Sequence, residues 1–283
     1  MKTLKTVDKL REELKKYKSA GHTLGFVPTM GYLHQGHLSL VRQSKKENDV
    51  TVVSIFVNPA QFAPDEDFDQ YPRALARDEQ LLQELNVDVV FYPAKEEIYP
   101  GDYATYVEVE KLSKVLCGKS RPTHFRGVAT VVLKLLNIVS PTRAYFGRKD
   151  AQQAIIIKKM VKDLHLDAAI HTVPIVRDPD GLALSSRNAY LSAEERKAAL
   201  CLSQALKKAK SAIDNGLRDS LAVKDILQKE ASKHPLVKID YLEVVSLDDL
   251  EKVKTIDITN TLVAGAIRVG KTRLIDNFIL GEI

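Results

Sequence analysis

"TLGFVPTMGYLHQGHLSLVRQSKK", residues 23–46, joins an apolar, β-rich run to a helical one through a junction holding two glycines and two histidines. "TLGFVPT" predicts a strand ending at Pro28-Thr29, and "HLSLVRQSKK" carries the three-to-four-residue apolar spacing of a helix beginning near Gly36-His37. Gly31 permits a tight turn between them. A helix that starts directly after a strand presents unpaired amide N–H groups and the positive end of its dipole, which together make a natural anion site. His34 and His37, three residues apart, fall on the same side of that turn, and Gly36 lets a nucleotide approach the backbone closely. Two imidazoles there can donate hydrogen bonds to phosphate oxygens and stabilise charge that builds during attack at phosphorus. Taken alone, a pair of surface histidines around a glycine turn accounts for the stretch equally well.

The strand-to-helix alternation continues outward. "VTVVSIFVNP", "VDVVFYP", "RAYFG" and "AAIHTVPIV" predict further strands, and most stretches between them are helical in period. That pattern predicts an α/β fold with a parallel sheet covered by helices. At the N-terminus, Leu4, Val7, Leu10 and Leu14 predict one amphipathic helix and no secretory signal. After about residue 190 the texture changes. "SAEERKAALCLSQALKKAKSAIDNG" opens with a capping-box pattern, Ser192 to Glu195, and closes at Gly216, so it predicts a long capped helix. A second helix near Ser220 to Lys233 leads into "VKIDYLEVV" and "TLVAGAIRV", whose alternation predicts antiparallel strands. The expected division is therefore 1–175 and 176–283, with the loop 177–190 lying between two lobes.

With 283 residues, 45% of them hydrophobic and 28% charged, the chain is a folding globular sequence and not a disordered one. The net charge of +5 favours anionic ligands, but its lysine and arginine residues are spread along helical stretches, which fits solvated faces and not a nucleic-acid surface. Cys117 and Cys201 lie far apart with no neighbour at metal-ligand spacing, so neither a disulfide framework nor a zinc site is indicated, and a reduced, cytoplasmic setting is the plain reading. The most apolar run, "ATVVLKLLNIV", is interrupted by Lys134 and is too short to cross a bilayer.

One motif is deceptive. "GAIRVGKT", Gly265 to Thr272, matches the phosphate-loop pattern letter for letter, yet that loop needs a flexible turn followed by a helix and a later acid for magnesium. Here Ile267, Arg268 and Val269 favour strand, and only eleven residues follow Thr272. "AGAIRVGKTRLIDN" predicts instead a β-hairpin turning at Gly270-Lys271.

"PTMGYLHQGH" resembles the H-x-G-H signature of the nucleotidyltransferase superfamily. "FVNPAQF" at 56–62, "YFGRKDAQQ" at 145–153, "GLALSSRN" at 181–188 and "HFRGVATVVLKLLNIV" narrow the likeness, and over essentially the whole chain the sequence resembles the pantoate–β-alanine ligases. The resemblance implies a Rossmann-like ATP- and pantoate-binding domain over 1–175, a smaller α+β lid domain over 176–283 that closes over it, and a homodimer. It also implies a reaction in which ATP and Mg²⁺ join (R)-pantoate to β-alanine through pantoyl adenylate, releasing AMP and pyrophosphate. No nucleic-acid or membrane partner is implied.

Carried over residue by residue, Met30, Gly31, Tyr32, Leu33, His34, Gln35, Gly36 and His37 line the ATP site, with His37 as general acid and His34 as a phosphate contact. Gly147, Arg148, Lys149 and Asp150 follow, where Lys149 supplies a mobile charge for the phosphates and Asp150 accepts from ribose hydroxyls. Arg148 stands where relatives often carry an acid, and no separate role attaches to it. Gln61 and Gln153 are the pantoate contacts, with Gln61 also meeting β-alanine, because an amide both donates and accepts. Val176 packs near adenine, while Leu184, Ser185, Ser186 and Arg187 close on the nucleotide, Arg187 as its phosphate clamp. Asp78 in "YPRALARDEQ" is the candidate supporting carboxylate for magnesium, with a helix-surface acid as the plain alternative. Two rival functions compete: a related adenylyltransferase acting on a phosphate-bearing acceptor, and a non-catalytic nucleotide sensor or RNA-binding module. Gln61 and Gln153 argue against the first, and the combination of a histidine pair with a separate closing loop argues against the second.

Overall fold

The computed structural model describes residues 1–64 and 66–283. They form two compact units. The first comprises Met1–Ser113, Arg121–Arg148 and Ile156–Pro174, and the second Lys114–Ser120, Lys149–Ile155 and Ile175–Ile283.

In the first unit, six strands make a parallel sheet: β1 (Lys2–Leu4), β2 (Leu24–Thr29), β3 (Val50–Ile55), β4 (Val89–Phe91), β5 (Arg143–Gly147) and β6 (Ala169–Val173), in the order β1-β4-β3-β2-β5-β6. The helices are α1 (Val7–Ser19), α2 (Gln35–Glu47), α3 (Leu75–Glu84), the short α4 (Lys95–Ile98) and α6 (His124–Val139). β2 and β3 are buried along nearly their whole length, which is why their sequences run apolar without alternation. From β2 the chain steps outward through β3 to β4, then crosses back to place β5 on the other side of β2. Strand order reverses there, so the carboxyl ends of β2 and β5 form the switch point at which open α/β sheets bind ligands.

The N-terminal expectation fails in one respect. Leu4 is not on the first helix. Residues 2–4 form a strand paired with β4, Leu4 opposite Phe91, and the helix starts only after Thr6, whose hydroxyl accepts from the Lys9 amide and caps it. Three residues are too few to show a period, so the edge strand was masked by the helix beside it.

The second unit contains α5 (Cys117–Ser120), α8 (Ala193–Asp214), α9 (Ser220–Ala231) and an antiparallel sheet β7 (Val237–Ser246), β8 (Asn260–Val269), β9 (Thr272–Gly281). The Ser192–Glu195 capping box forms as the sequence predicts, with side chain and backbone bonded reciprocally. Leu202, Leu206, Val223, Leu227, Val263 and Ile267 build the core between these helices and the sheet. β8 and β9 are joined by Gly270-Lys271 with Val269 opposite Thr272, so the apparent phosphate loop is a two-residue hairpin turn. α7 (Ala151–Asp163) contributes its first turn and a half to this unit and its remainder to the first.

Candidate active site

At the end of β2 the backbone makes a tight turn. Gly31 and Tyr32 both adopt left-handed conformations, φ +83° and +49°. Thr29 braces the turn, its hydroxyl donating to the Ser54 carbonyl at 2.8 Å and accepting from the Gly31 amide at 3.2 Å. Asp78 braces it more firmly. It lies on α3 at 1% exposure, and its two carboxylate oxygens accept from the Tyr32 and Leu33 amides, each at 2.7 Å. Burial pushes this carboxyl above the ordinary range, against the pull of those two amides and the Arg77 guanidinium. Asp78 is therefore no surface acid: it is buried, and each of its oxygens braces the turn.

α2 then starts at Gln35, with His34 as its N-cap. The His34 Nδ1 accepts from the Gly36 amide at 3.1 Å, and the His37 Nδ1 accepts from the His34 amide at 3.4 Å. The two imidazoles form a capping box, with ring centroids 4.1 Å apart. An Nδ1 that accepts cannot carry hydrogen, so in this arrangement each ring presents Nε2 as its donor. With Nδ1 turned to the His34 amide, the His37 ring presents Nε2 as the atom from which it can act on a bound nucleotide. Leu33 is wholly buried and Gln35 is exposed, accepting from Arg42 at 2.9 Å, so of the turn residues these two offer a bound nucleotide little beyond backbone.

Gln61 ends a short 3-10 turn, Pro59–Gln61, after β3. Its Nε2 lies 2.9 Å from the Met30 sulfur, so the glutamine and the histidine turn meet within the first unit. Asn58 caps that 3-10 turn and is 1% exposed. It donates to Gln61 Oε1 and to the Gly127 carbonyl, each at 3.1 Å, and accepts from the Tyr99 hydroxyl at 2.8 Å. In sequence Asn58 shows only the Asn-Pro turn signal, because its bonds to distant Gly127 and Tyr99 leave no local trace. Gly147 ends β5 beside β2, and Arg148 donates from Nε to Thr172 on β6 at 3.2 Å.

The second unit carries the other expected residues. Lys149 sits 3.5 Å from Asp150 as an ion pair, and its carbonyl accepts from the Asn277 side chain on β9 at 2.8 Å. Gln153 is half-buried within the first turn of α7. Residues 176–184 form a narrow hairpin in which the Leu184 amide donates to the Val176 carbonyl at 3.0 Å, bringing those two residues together. Arg177 locks that hairpin to β9 through a bidentate pair with Asp276, 2.6 and 2.9 Å. Ser185 caps the 3-10 turn Ser186–Tyr190 by accepting from the Arg187 amide at 3.3 Å, and Ser186 is buried. Among the described residues, no group of three His, Cys, Asp or Glu side chains is placed to hold a metal ion.

The chain matches the family model described as pantoate-beta-alanine ligase over residues 2–279. It is 55% identical to pantothenate synthetase of Thermotoga neapolitana over 281 residues, covering 99% of this chain and 100% of that one. It is 56% identical to the protein of that name from Pseudothermotoga lettingae, with both chains covered in full. Among solved structures, pantothenate synthetase from Thermus thermophilus superposes with a TM-score of 0.95 at 43% identity, covering 100% of each chain. Pantoate-beta-alanine ligase from Francisella tularensis, complexed with beta-gamma ATP and beta-alanine, gives 0.81 at 36% identity, covering 99% of this chain and 97% of that one.

Proposed function

The chain belongs to the pantoate–β-alanine ligase family, and we propose that it performs this ligation through an acyl adenylate formed at the switch point of its parallel sheet. As a ligase of this family it condenses pantoate with β-alanine at the expense of ATP to give pantothenate. A carboxylate is a poor acyl donor until its oxygen becomes part of a good leaving group. In the proposed first step a pantoate carboxylate oxygen bonds to the α-phosphorus, the bond from that phosphorus to the bridging oxygen breaks, and pyrophosphate departs. The β-alanine nitrogen then bonds to the acyl carbon, AMP leaves with the oxygen, and the amine proton passes to solvent.

The observation that carries this reading is the pair of imidazoles capping α2. Their Nε2–H groups supply donors where negative charge grows at phosphorus. We assign phosphate contacts to His34, His37, Lys149 and Arg187, ribose contact to Asp150, and pantoate contacts to Gln61 and Gln153, with Val176, Leu184, Ser185 and Ser186 around the nucleotide. The proposed division of labour is 1–175 for ATP and pantoate and 176–283 for the lid, with 114–120 and 149–155 grouping structurally with the lid. Magnesium is assigned to the nucleotide's own phosphates, because the described residues offer it no cage. A homodimer and a cytoplasmic setting are further expectations of the family reading, the second supported by two free, buried cysteines. Among the described residues, no helix is long and apolar enough to cross a membrane.

The test is to incubate the protein with MgATP, pantoate and β-alanine and to measure all products. Pantothenate, AMP and pyrophosphate in equal amounts support the adenylate route. ADP and phosphate as the nucleotide products would exclude it.

A further inference from the structure

We propose that residues 121–127, at and just before the start of α6, position the Pro59–Gln61 turn and so set the affinity for pantoate, with Gly127 and His124 as positioning residues. The proposal rests on the reading that Gln61 contacts pantoate.

Gly127 lies inside α6, where glycine is unfavourable by backbone entropy, and its φ is not one that demands glycine. Its reason for being there is space. A Cβ on residue 127 would stand 2.0 Å from the Ala60 carbonyl oxygen and 2.6 Å from the Gln61 nitrogen. Both are backbone atoms and cannot rotate aside, so any side chain must displace the turn. The turn is thus seated in a notch that only glycine provides.

Polar contacts hold it there from the same segment. Asn58, the cap of the turn, donates to the Gly127 carbonyl at 3.1 Å. The Gln61 carbonyl lies 2.9 Å from His124 Nδ1 and accepts from Arg121 Nη2 at 3.2 Å. Arg121 is itself fixed by two bonds of 2.6 Å to Glu66. The Gln61 main chain is therefore gripped on its nitrogen side by the glycine notch and on its carbonyl by two side chains. Its amide group is aimed by Asn58 and Met30. None of these atoms needs to touch substrate for the grip to matter, because about an ångström of misplacement in a positioning group costs on the order of a hundredfold in rate.

The experiment compares steady-state constants for Gly127→Ala, His124→Phe, His124→Asn and Gln61→Ala, with folding followed by circular dichroism. Gly127→Ala should raise KM for pantoate tenfold or more while KM for ATP stays within twofold. His124→Phe, which keeps the ring but loses the donor, should shift KM for pantoate in the same direction, and His124→Asn, whose Nδ2 can replace Nδ1, should restore most of it. If Gly127→Ala does not fold, the His124 pair decides. A pantoate KM unmoved in the folded Gly127 and His124 variants, beside a raised one in Gln61→Ala, would overturn the positioning role and leave Gln61 as a contact. Equal rises for ATP and pantoate would also overturn it. No change in Gln61→Ala would remove the contact itself, and the proposal with it.

Discussion

At the scale of single residues, His34 and His37 are held together by the turn that starts α2, each ring bonded to the other's side of the cap. His34 and His37 were legible because they sit on the turn they serve, and their spacing alone places them together. Removing one should show it: His37→Ala should fold normally yet slow the chemical step by roughly a hundredfold or more, the usual scale for a lost charge-stabilising donor. Near-normal turnover in the folded variant would take His37 out of the mechanism. Asp78 was legible only as an acid on a helix, because the two amides it holds are more than forty residues away in sequence. Asp78→Asn preserves its shape but turns an NH₂ toward one of those amides. A buried donor left unmatched costs about 1–3 kcal/mol, so denaturant unfolding should show a loss of that order, accompanied by a raised KM for ATP as the turn loosens. A magnesium ligand would behave differently, with stability kept and only the magnesium requirement raised.

At the scale of elements, the long signals were readable and the short ones were not. The helices at 193–214 and 220–231 and the hairpin strands announce themselves by period and caps, while the three-residue β1 has no period to show. The 3-10 turn at Pro59–Gln61 depends on α6, and a notch made by a glycine looks in sequence like any other glycine. The Gly270-Lys271 turn permits a simple check, since a lysine at a hairpin tip has no phosphate cradle behind it. Lys271→Ala should leave ATP affinity unchanged in a calorimetric titration; a weakening of tenfold, about 1.4 kcal/mol, would restore the phosphate-loop reading. The anchor at Arg121 makes a pH-dependent prediction. Burial works to raise the Glu66 carboxyl, but the Arg121 guanidinium outweighs it and holds the group below the ordinary range. A carboxyl lowered on folding contributes stability above its unfolded value, about 4.3, and that contribution is lost as pH falls through the folded one. The melting temperature of the protein should therefore exceed that of Glu66→Gln at pH 6, and the gap should close as pH falls below about 4. A gap that persists at low pH would show that Arg121 does not depend on the Glu66 charge.

At the scale of the whole molecule, the order of strands explains why the proposed site residues lie in short stretches of sequence. Reversal at β2 and β5 leaves the carboxyl ends of two neighbouring strands without a crossover between them, and both run directly into segments carrying polar side chains: 30–37 after β2 and 148–150 after β5. A fold of this kind can hold one activated intermediate while a second substrate arrives, and that possibility can be tested by splitting the reaction. With pantoate and MgATP but no β-alanine, the protein should release pyrophosphate in an amount close to its own concentration and then stop, because water attacks a sequestered mixed anhydride slowly. Labelled pyrophosphate should meanwhile exchange into ATP, since the first step is reversible as long as the adenylate stays bound. Exchange must also require pantoate, because its carboxylate is the nucleophile. An acyl-phosphate route predicts the opposite at each point: no pyrophosphate, no exchange, and ADP as the nucleotide product. Exchange that appears only after β-alanine is added would mean that amide formation and nucleotide cleavage occur in one step. The donor roles assigned to His34, His37 and Lys149 around the α-phosphorus would then have to be withdrawn.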